Sequence, residues 1–538
     1  MVFEVARKWK RTLHDELYLP GMRTGPSAEA QEVARDSRTE KDELGDQTEV
    51  QQVVDGEELT TRSGMNKYWT IIAAGAGLFS DGYVNNSVGT VNTILTQLYG
   101  DRYTGSPAAS NIASIAFAGT VVGQLVFGYV ADYHSRTIGM IISTVILIVF
   151  TILSAGAWGA GGSIEGMFAA LTAYRMFLGI GIGGEYPAGS VACAEASNIL
   201  GRGRRNRWFV LFTNFMIDTG FVVSAFVPMV MLWICSDEHL TPVWRVSLGL
   251  GAIPPCILFY LRLKFNENEQ FKKYNMKNAR FPYWLILKYY FPRLLVVSAI
   301  WFIYDFSAYA FGIYSSAIIN VVVPDGDLYK TFGWNVVLNL FYIPGSFAGA
   351  FAADYLGPRI TLVIGVGLQG VIGFIMASQY ESLKQHIGGF VVVYGIFMTL
   401  GEFGPGDQMG LIASKTSATP IRGQYYGIAA ALGKVGAFVG TYVFPIIVKN
   451  AGGSETTAGN QAPFWVASSL CLFSAFLGLF FLPSLTQDAV NLEDIKFKRY
   501  LSDHGFDITQ IGDHDSDSEN NPTTTVETTT EYDKSATN

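Results

Sequence analysis

Long apolar runs alternate with short polar breaks over most of the chain. Residues 1–66 are polar, charged and without sustained periodicity. The stretch 486–538 is similar, and closes on a Ser/Thr/Asp-rich run from Asp513 to Thr530. Both predict disordered tails, because such segments bury too little apolar surface to offset the entropy of ordering. Residues 1–19 also alternate enough for a short amphipathic helix at a membrane surface. Between the tails, twelve runs each reach the ~20 residues needed to cross a bilayer. They lie at about 68–98, 110–131, 137–159, 166–193, 208–235, 243–262, 294–318, 331–353, 359–379, 388–412, 424–448 and 463–482. The pattern predicts an all-α membrane protein of twelve transmembrane helices. The polar N-terminus predicts that the first span serves as its own insertion signal.

Basic residues orient these spans. The fourth-to-fifth connection carries Arg202, Arg204, Arg205 and Arg207, and the sixth-to-seventh carries Lys264, Lys272, Lys273, Lys277, Arg280 and Lys288. Alternate connections carry Glu165, Asp237, Glu238, Asp325 and Asp327 instead. The basic loops and both termini are therefore expected in the cytoplasm. The long basic loop divides the chain into a tail (1–66), a six-helix half (67–262), the loop itself (263–293), a second six-helix half (294–485) and a tail (486–538).

Composition narrows the class. Of 538 residues, 49% are hydrophobic and only 15% charged, against ~25% charged in soluble domains. The net charge of −8 sits largely in the tails, and no basic domain stands out, so nucleic acid is not an expected partner. Cys193, Cys235, Cys256 and Cys471 fall in apolar stretches without metal-ligand spacing and read as reduced, packed thiols. There is no GxxxxGK[ST] loop to hold ATP, and the six His lie in tails and loops. No cofactor, metal or enzymatic activity is expected.

The halves carry matching punctuation. Asp81 in LFSDGY answers to Asp305 in FIYDFSAY, Asp132 in GYVAD to Asp354 in FAAD, and Glu185 in GGEYP to Glu402 in GEFGP. Asp218 answers to Lys434. The four separations are 224, 222, 217 and 216 residues. Four correspondences in one order indicate two structurally equivalent halves, a parallel repeat whose site lies near the midplane between them.

Ionisable groups inside spans are costly and mark pathways. Here they are Asp81, Arg175, Glu185, Asp218, Asp305, Glu402, Asp407 and Lys434. Trp301, Asp305 and Tyr309 share one helix face, which is expected to line a cavity. Several duller readings stand beside these. Asp305 could serve as a structural partner of Lys434, Asp81 could bond a neighbouring helix, and Glu402 could bond backbone freed at a hinge. Arg175 fits an ion-pair partner as well as a proton relay, and Asp407 has no assigned role. Asn214 and Asp218 share a face of span five. Asp132, Arg136, Asp354 and Arg359 lie at cytoplasmic span ends and read as gate latches. The sequon Asn85-Asn86-Ser87 falls inside span one and is expected to stay unglycosylated.

With twelve spans in two halves, GYVADYHSRT after span two and RMFLGIG in span four, the chain resembles the major facilitator superfamily. Tyr133 and Ser135 depart from its loop motif. Within it, GGEYP (Gly183–Pro187), WFIYDFSAY (Trp301–Tyr309) and GKVGA (Gly433–Ala437) resemble the phosphate:proton symporters of fungi and plants, with Glu185 where that family has Asp and Asn214 where it has Gln. The resemblance implies that Tyr186, Asn214, Trp301, Tyr309 and Lys434 contact phosphate and that Asp81, Glu185 and Asp305 handle protons. EYPAGSVACAEASN and NFMIDTGF look more like the fungal glycerophosphodiester permeases, which take up glycerophosphoinositol or glycerophosphocholine. The extra acids Asp218 and Glu402 then have a physical use: a carboxylate accepts hydrogen bonds from polyol hydroxyls or pairs with choline, and it repels free phosphate. These features imply a plasma-membrane proton symporter for glycerophosphodiesters, whose partners are a small phosphorylated solute, protons and membrane lipid. The alternatives are an inorganic phosphate:proton symporter and a non-transporting nutrient sensor.

Overall fold

The computed structural model describes residues 65–512 and the isolated Gln31, apart from 198, 199, 202, 266, 268, 278 and 324–326. The described residues are helical, with no strand among them. Helix α1 comprises Met65–Gly75 and Phe79–Tyr99, joined through a tighter turn at Ala76–Leu78. Then follow α2 (Ala108–Tyr133), α3 (Arg136–Ala155), α4 (Ile164–Ser197), α5 (Arg205–Cys235), α6 (Leu240–Arg262) and α7 (Tyr283–Val322). The remainder are α8 (Leu328–Tyr355), α9 (Pro358–Ser378), α10 (Ile387–Lys415), α11 (Arg422–Asn450), α12 (Thr457–Phe481) and α13 (Ala489–Asp503).

Eleven of these helices are long and apolar enough to cross a membrane. Helix α1 falls short of that measure because Ser80, Asp81, Asn85, Asn86, Ser87 and Thr90 interrupt its apolar sequence, yet it packs against α5 and α7 as the twelfth member of the bundle. All six of those residues are buried, the sequon included. Large apolar side chains such as Trp158, Trp233, Ile257 and Phe473 instead face outward, which suits a lipid solvent.

Within the first half α2 packs on α4, and within the second α7 packs on α11. The halves meet where α2 lies on α11 and α5 on α8. Glycine sets the spacing at these crossings. A Cβ at Gly179 would stand 2.0 Å from Ala116 O on α2, and one at Gly427 would stand 2.5 Å from Gln124 O across the halves. Helices in lipid gain little from hydrophobic exclusion, so close backbone approach carries their association.

Two expectations change. The seventh helix begins at Tyr283 rather than near 294, so the basic connection is shorter than 263–293. The tail 486–538 is not disordered throughout. Its described part folds as α13, which buries Leu492, Phe497 and Leu501 and places acids against basic partners. Asp488 pairs with Arg205 (2.9 Å) and Glu493 with Arg293 (2.7 Å); Asp494 accepts from Thr419 N (2.6 Å) and lies 3.6 Å from Arg422. Burial pushes the carboxyls of Glu493 and Asp494 up from their usual range, while Arg293 and Arg422 pull them back. The proposed amphipathic helix at 1–19 and nearly all of the tail 1–66 lie outside the described residues.

Two measurements check this packing. Gly179→Val forces α2 and α4 apart and is expected to cost ~1–3 kcal/mol, seen as a lower melting temperature in detergent. Gly333→Ala, with open space around it, should melt like the parent, and equal melting of both variants contradicts the crossing. Asp494→Ala removes the acceptor beneath Thr419 and is expected to cost ~3 kcal/mol as a broken buried pair; an unchanged melting curve means that α13 does not hold the base closed.

Candidate substrate and proton site

The interruptions in the helices prepare the site. Pro187 in α4 and Pro405 in α10 have no N–H to donate, and each sits in a stretch of wider, π-type turns, Glu185–Ser190 and Glu402–Gly406. At Gly404 the backbone leaves helical geometry altogether (φ −89°, ψ −105°). Helix α5 breaks at Thr213 (φ −119°, ψ −85°), one residue before Asn214. These breaks surround a cavity between the halves. Its walls include Tyr186, Asn214, Trp301, Asp305, Tyr309, Glu402, Asp407 and Lys434.

Lys434 is the cation of this cavity and is 1% exposed. Its Nζ stands 3.5 Å from Asp305 Oδ2 and 3.6 Å from Asp81 Oδ2, and donates a close hydrogen bond to Tyr309 Oη. The ammonium also lies 3.7 Å from the Tyr309 ring centroid and 5.0 Å from that of Tyr186, where aromatic faces attract a cation. Asp81 lies just behind the cavity wall. It accepts from Tyr309 Oη (2.9 Å), from Asn85 Nδ2 (2.5 Å) and closely from Tyr186 Oη. Asp81 and Tyr186 belong to the first half and Lys434, Asp305 and Tyr309 to the second, so this network crosses the boundary. Gly433 makes room for Trp301: a Cβ there would come 2.6 Å from the indole Cδ1.

A second group gathers on α5 and α10. Asn214 Nδ2 donates 2.9 Å to Glu402 Oε2 and 2.9 Å to Asp407 Oδ1, and lies 3.5 Å from Asp218 Oδ2. Tyr304 Oη donates 2.8 Å to Glu402 Oε1. Asp218 is fully buried and does not line the cavity. It stands behind Asn214, the residue of α5 that does line the wall there.

Glu185 also stands away from the cavity lining. It makes a two-pronged ion pair with Arg262 of α6, both contacts at 2.6 Å, and accepts from Ser143 Oγ at 2.9 Å. Arg175 donates to Ile112 O (2.8 Å) and Val84 O (3.4 Å), which ties α4 to α2 and α1. Arg262 was hidden from sequence reasoning, since an arginine in the last turn of a span reads as an interfacial charge.

The gate residues meet at the end that carries the basic connections. Asp132 pairs with Arg136 (2.6 Å) and accepts from Gly423 N (2.8 Å) and Gln424 N (2.7 Å) of the other half. Arg136 reaches Glu195 (3.0 Å), which Arg422 also reaches (3.2 Å). Asp354 accepts from Asn206 N (3.1 Å) and Arg207 Nε (2.5 Å). Arg359 donates to Leu482 O (3.4 Å) inside the second half, so its described contact does not span the two halves. Glu195 and Arg422 complete the latch. The visible signal for Glu195 was a second acid ten residues after Glu185 in the same run. At the far end Asn86 Nδ2 reaches Ser224 Oγ and Asn339 Oδ1, both at 3.0 Å. The halves thus touch on both sides of the cavity.

Known proteins agree with this architecture. The model of the sugar (and other) transporter family matches residues 69–272 and 266–496. The glycerophosphocholine permease GIT4 of Candida albicans is 57% identical over 463 residues, covering 85% of this chain and 86% of that protein. The major glycerophosphoinositol permease GIT3 of the same organism is 56% identical over 461 residues, with 85% and 86% covered. Among solved structures, the proton:xylose symporter XylE superposes with a TM-score of 0.67 at 15% identity, covering 80% of this chain and 98% of that one; at that identity it speaks for the fold alone. With a family model across both halves and relatives more than half identical over most of its length, the protein belongs to the sugar (and other) transporter family of the major facilitator superfamily.

Proposed function

We propose that this protein is a proton-coupled symporter that imports glycerophosphodiesters across the plasma membrane by alternating access, with its basic end and both termini in the cytoplasm. One observation carries the reading: a buried lysine, held by a carboxylate from each half, faces a cavity between the halves. The permeases similar to this chain are named for glycerophosphocholine and glycerophosphoinositol, which share the phosphodiester that such a lysine would hold.

The chemistry follows from competition for Lys434. A phosphodiester oxygen and the carboxylates of Asp305 and Asp81 seek the same ammonium. Protonating Asp305 weakens its hold, so proton and substrate binding become one linked equilibrium. Tyr186 and Tyr309, which now donate to Asp81, turn their hydroxyls to the phosphodiester, and Trp301 closes the wall beside them. Asp81 carries or relays a second proton. Glu185 was assigned a proton by resemblance; fixed to Arg262, it serves instead to hold α4, α6 and the α1 turn together. A phosphodiester brings one negative charge into a negative interior, costing ~2.3 kcal/mol per 100 mV. One proton neutralises it, and two let the potential drive uptake.

Lys434→Ala is expected to lower uptake more than about tenfold, a charge-assisted bond contributing ~1.5–3 kcal/mol, while the protein still reaches the cell surface. Near-normal uptake of labelled diester by this variant removes Lys434 from the site. Asp305→Asn imitates the protonated carboxyl: in proteoliposomes it should sustain counterflow exchange but lose accumulation driven by a pH gradient. Accumulation at the parental level would refute the coupling role of Asp305.

A further inference from the structure

Beyond Lys434, toward the end away from the basic connections, the cavity is lined by neutral groups. Asn85 and Asn86 of α1, Gly312 of α7 and Tyr342 of α8 stand there. Asn86 Nδ2 reaches Asn339 Oδ1 (3.0 Å), one turn of α8 from Tyr342, so these stretches of α1 and α8 lie side by side.

Asn85 follows Asp81 by one turn on the same helix face. Its Nδ2 donates to Asp81 Oδ1 (2.5 Å). A carboxylate only accepts, so this bond fixes which end of the amide is which. The other end, Oδ1, has no hydrogen-bond partner, although Asn85 lines the cavity and is 1% exposed. Leaving a buried acceptor unmet is costly, and whatever meets it must bring a hydrogen. Gly312 spares room nearby: a Cβ there would already touch Tyr342 Oη, at 3.4 Å. Phe221 packs on the Tyr342 ring, with centroids 4.9 Å apart.

Asp81 ties this spot to the lysine. Its Oδ1 takes the Asn85 amide, while its Oδ2 lies 3.6 Å from Lys434 Nζ. A single carboxylate therefore separates the cation from the unmet acceptor. In a glycerophosphodiester the nearest glycerol hydroxyl sits on the carbon beside the ester carbon, a reach of similar size. The ionised phosphodiester has no hydrogen to give, whereas a hydroxyl has one.

We propose that Asn85 reads the glycerol: its Oδ1 accepts a hydrogen bond from a glycerol hydroxyl while Lys434 holds the phosphodiester. Tyr342, beside Gly312, faces the same end of the substrate. The assignment rests on the diester reading above and adds a requirement to it. A hydrogen-donating group must stand next to the phosphate, whatever headgroup the other ester carries.

The test uses the full chain in cells that lack diester carriers. Labelled glycerophosphocholine and labelled glycerophosphoinositol are offered separately, and the one taken up serves as tracer. Two unlabelled diesters compete with it, glyceryl methyl phosphate and propyl methyl phosphate. They share charge and carbon skeleton and differ only in the two hydroxyls. The glyceryl compound should compete at least about tenfold better, because its rival leaves a buried acceptor unmet. In Asn85→Leu and Asn85→Ala, which remove the acceptor, that ratio should fall toward one. The ratio is read within each variant, so a general loss of activity does not enter it. Equal competition in the parent protein overturns the proposal and leaves the diester reading standing, whether or not the variants fold. A parental ratio in either variant at the cell surface overturns it too, and leaves Asn85 Oδ1 to solvent. If the parent takes up neither labelled diester, the diester reading fails and the glycerol assignment with it.

Discussion

Lys434 on α11 stands 3.5 Å from Asp305 on α7 and 3.6 Å from Asp81 on α1, and because α1 belongs to the other half, this ion pair is also a joint between the halves. Charges taken out of water cost several kcal/mol each and are repaid only where the geometry is complete. Here it is nearly complete: Asp81 has Tyr186, Tyr309 and Asn85 as donors, and the ammonium lies over two aromatic rings. A site that expensive holds together only while each charge keeps a partner. An anion and a proton arriving together can exchange those partners without leaving any charge bare, whereas either one alone cannot.

The rest of the bundle supplies the rigidity that this exchange needs. Glu185 and Arg262 clamp α4 to α6, and α1 passes over the clamp at Gly77, where a Cβ would stand 2.0 Å from Glu185 Oε2. Symmetry between the halves breaks at this point. Glu402 is the repeat partner of Glu185 and sits in the same kind of widened turn, but it meets Asn214 and Tyr304 rather than an arginine. One repeat position has become a structural brace and the other a cavity wall.

Much of this was legible before any coordinates. Apolar runs near the span length marked the helices, and the paired punctuation at Asp81 and Asp305, and at Glu185 and Glu402, marked the two halves. The stripe of Trp301, Asp305 and Tyr309 showed its shared face through helical spacing alone. What stayed hidden depended on long-range pairing. Nothing local in the last turn of α6 says that Arg262 turns inward to an acid 77 residues earlier. Helix α13 looked like a polar tail because its burial depends on Arg205, Arg293 and Arg422, which lie far away in the chain. Asn214 and Asp218 share a face of the continuous helix Asn214–Cys235, as their spacing says, but only Asn214 lines the cavity, and Asp218 one turn on is fully buried against its neighbours.

The central joint and the basal latch are mechanically one system, because the same helices carry both. Helix α11 holds Lys434 in the cavity and Arg422 in the latch, 12 residues apart, or about 18 Å at 1.5 Å per residue. Helix α7 carries Asp305 in the cavity and, 12 residues earlier, Arg293, which pairs with Glu493 of α13. A rigid shift of α11 therefore moves a cavity charge and a latch charge together, and a shift of α7 moves a cavity charge together with the contact to α13. The latch gains from every direct contact across the halves: Asp132 with the backbone of Gly423 and Gln424, and Glu195 shared between Arg136 and Arg422. None of these groups lines the cavity, so substrate cannot weaken them by contact. It can weaken them only by moving the helices on which they stand. In the proposed transport cycle, coupling is thus a matter of helix position, set at Lys434 and felt at Arg422.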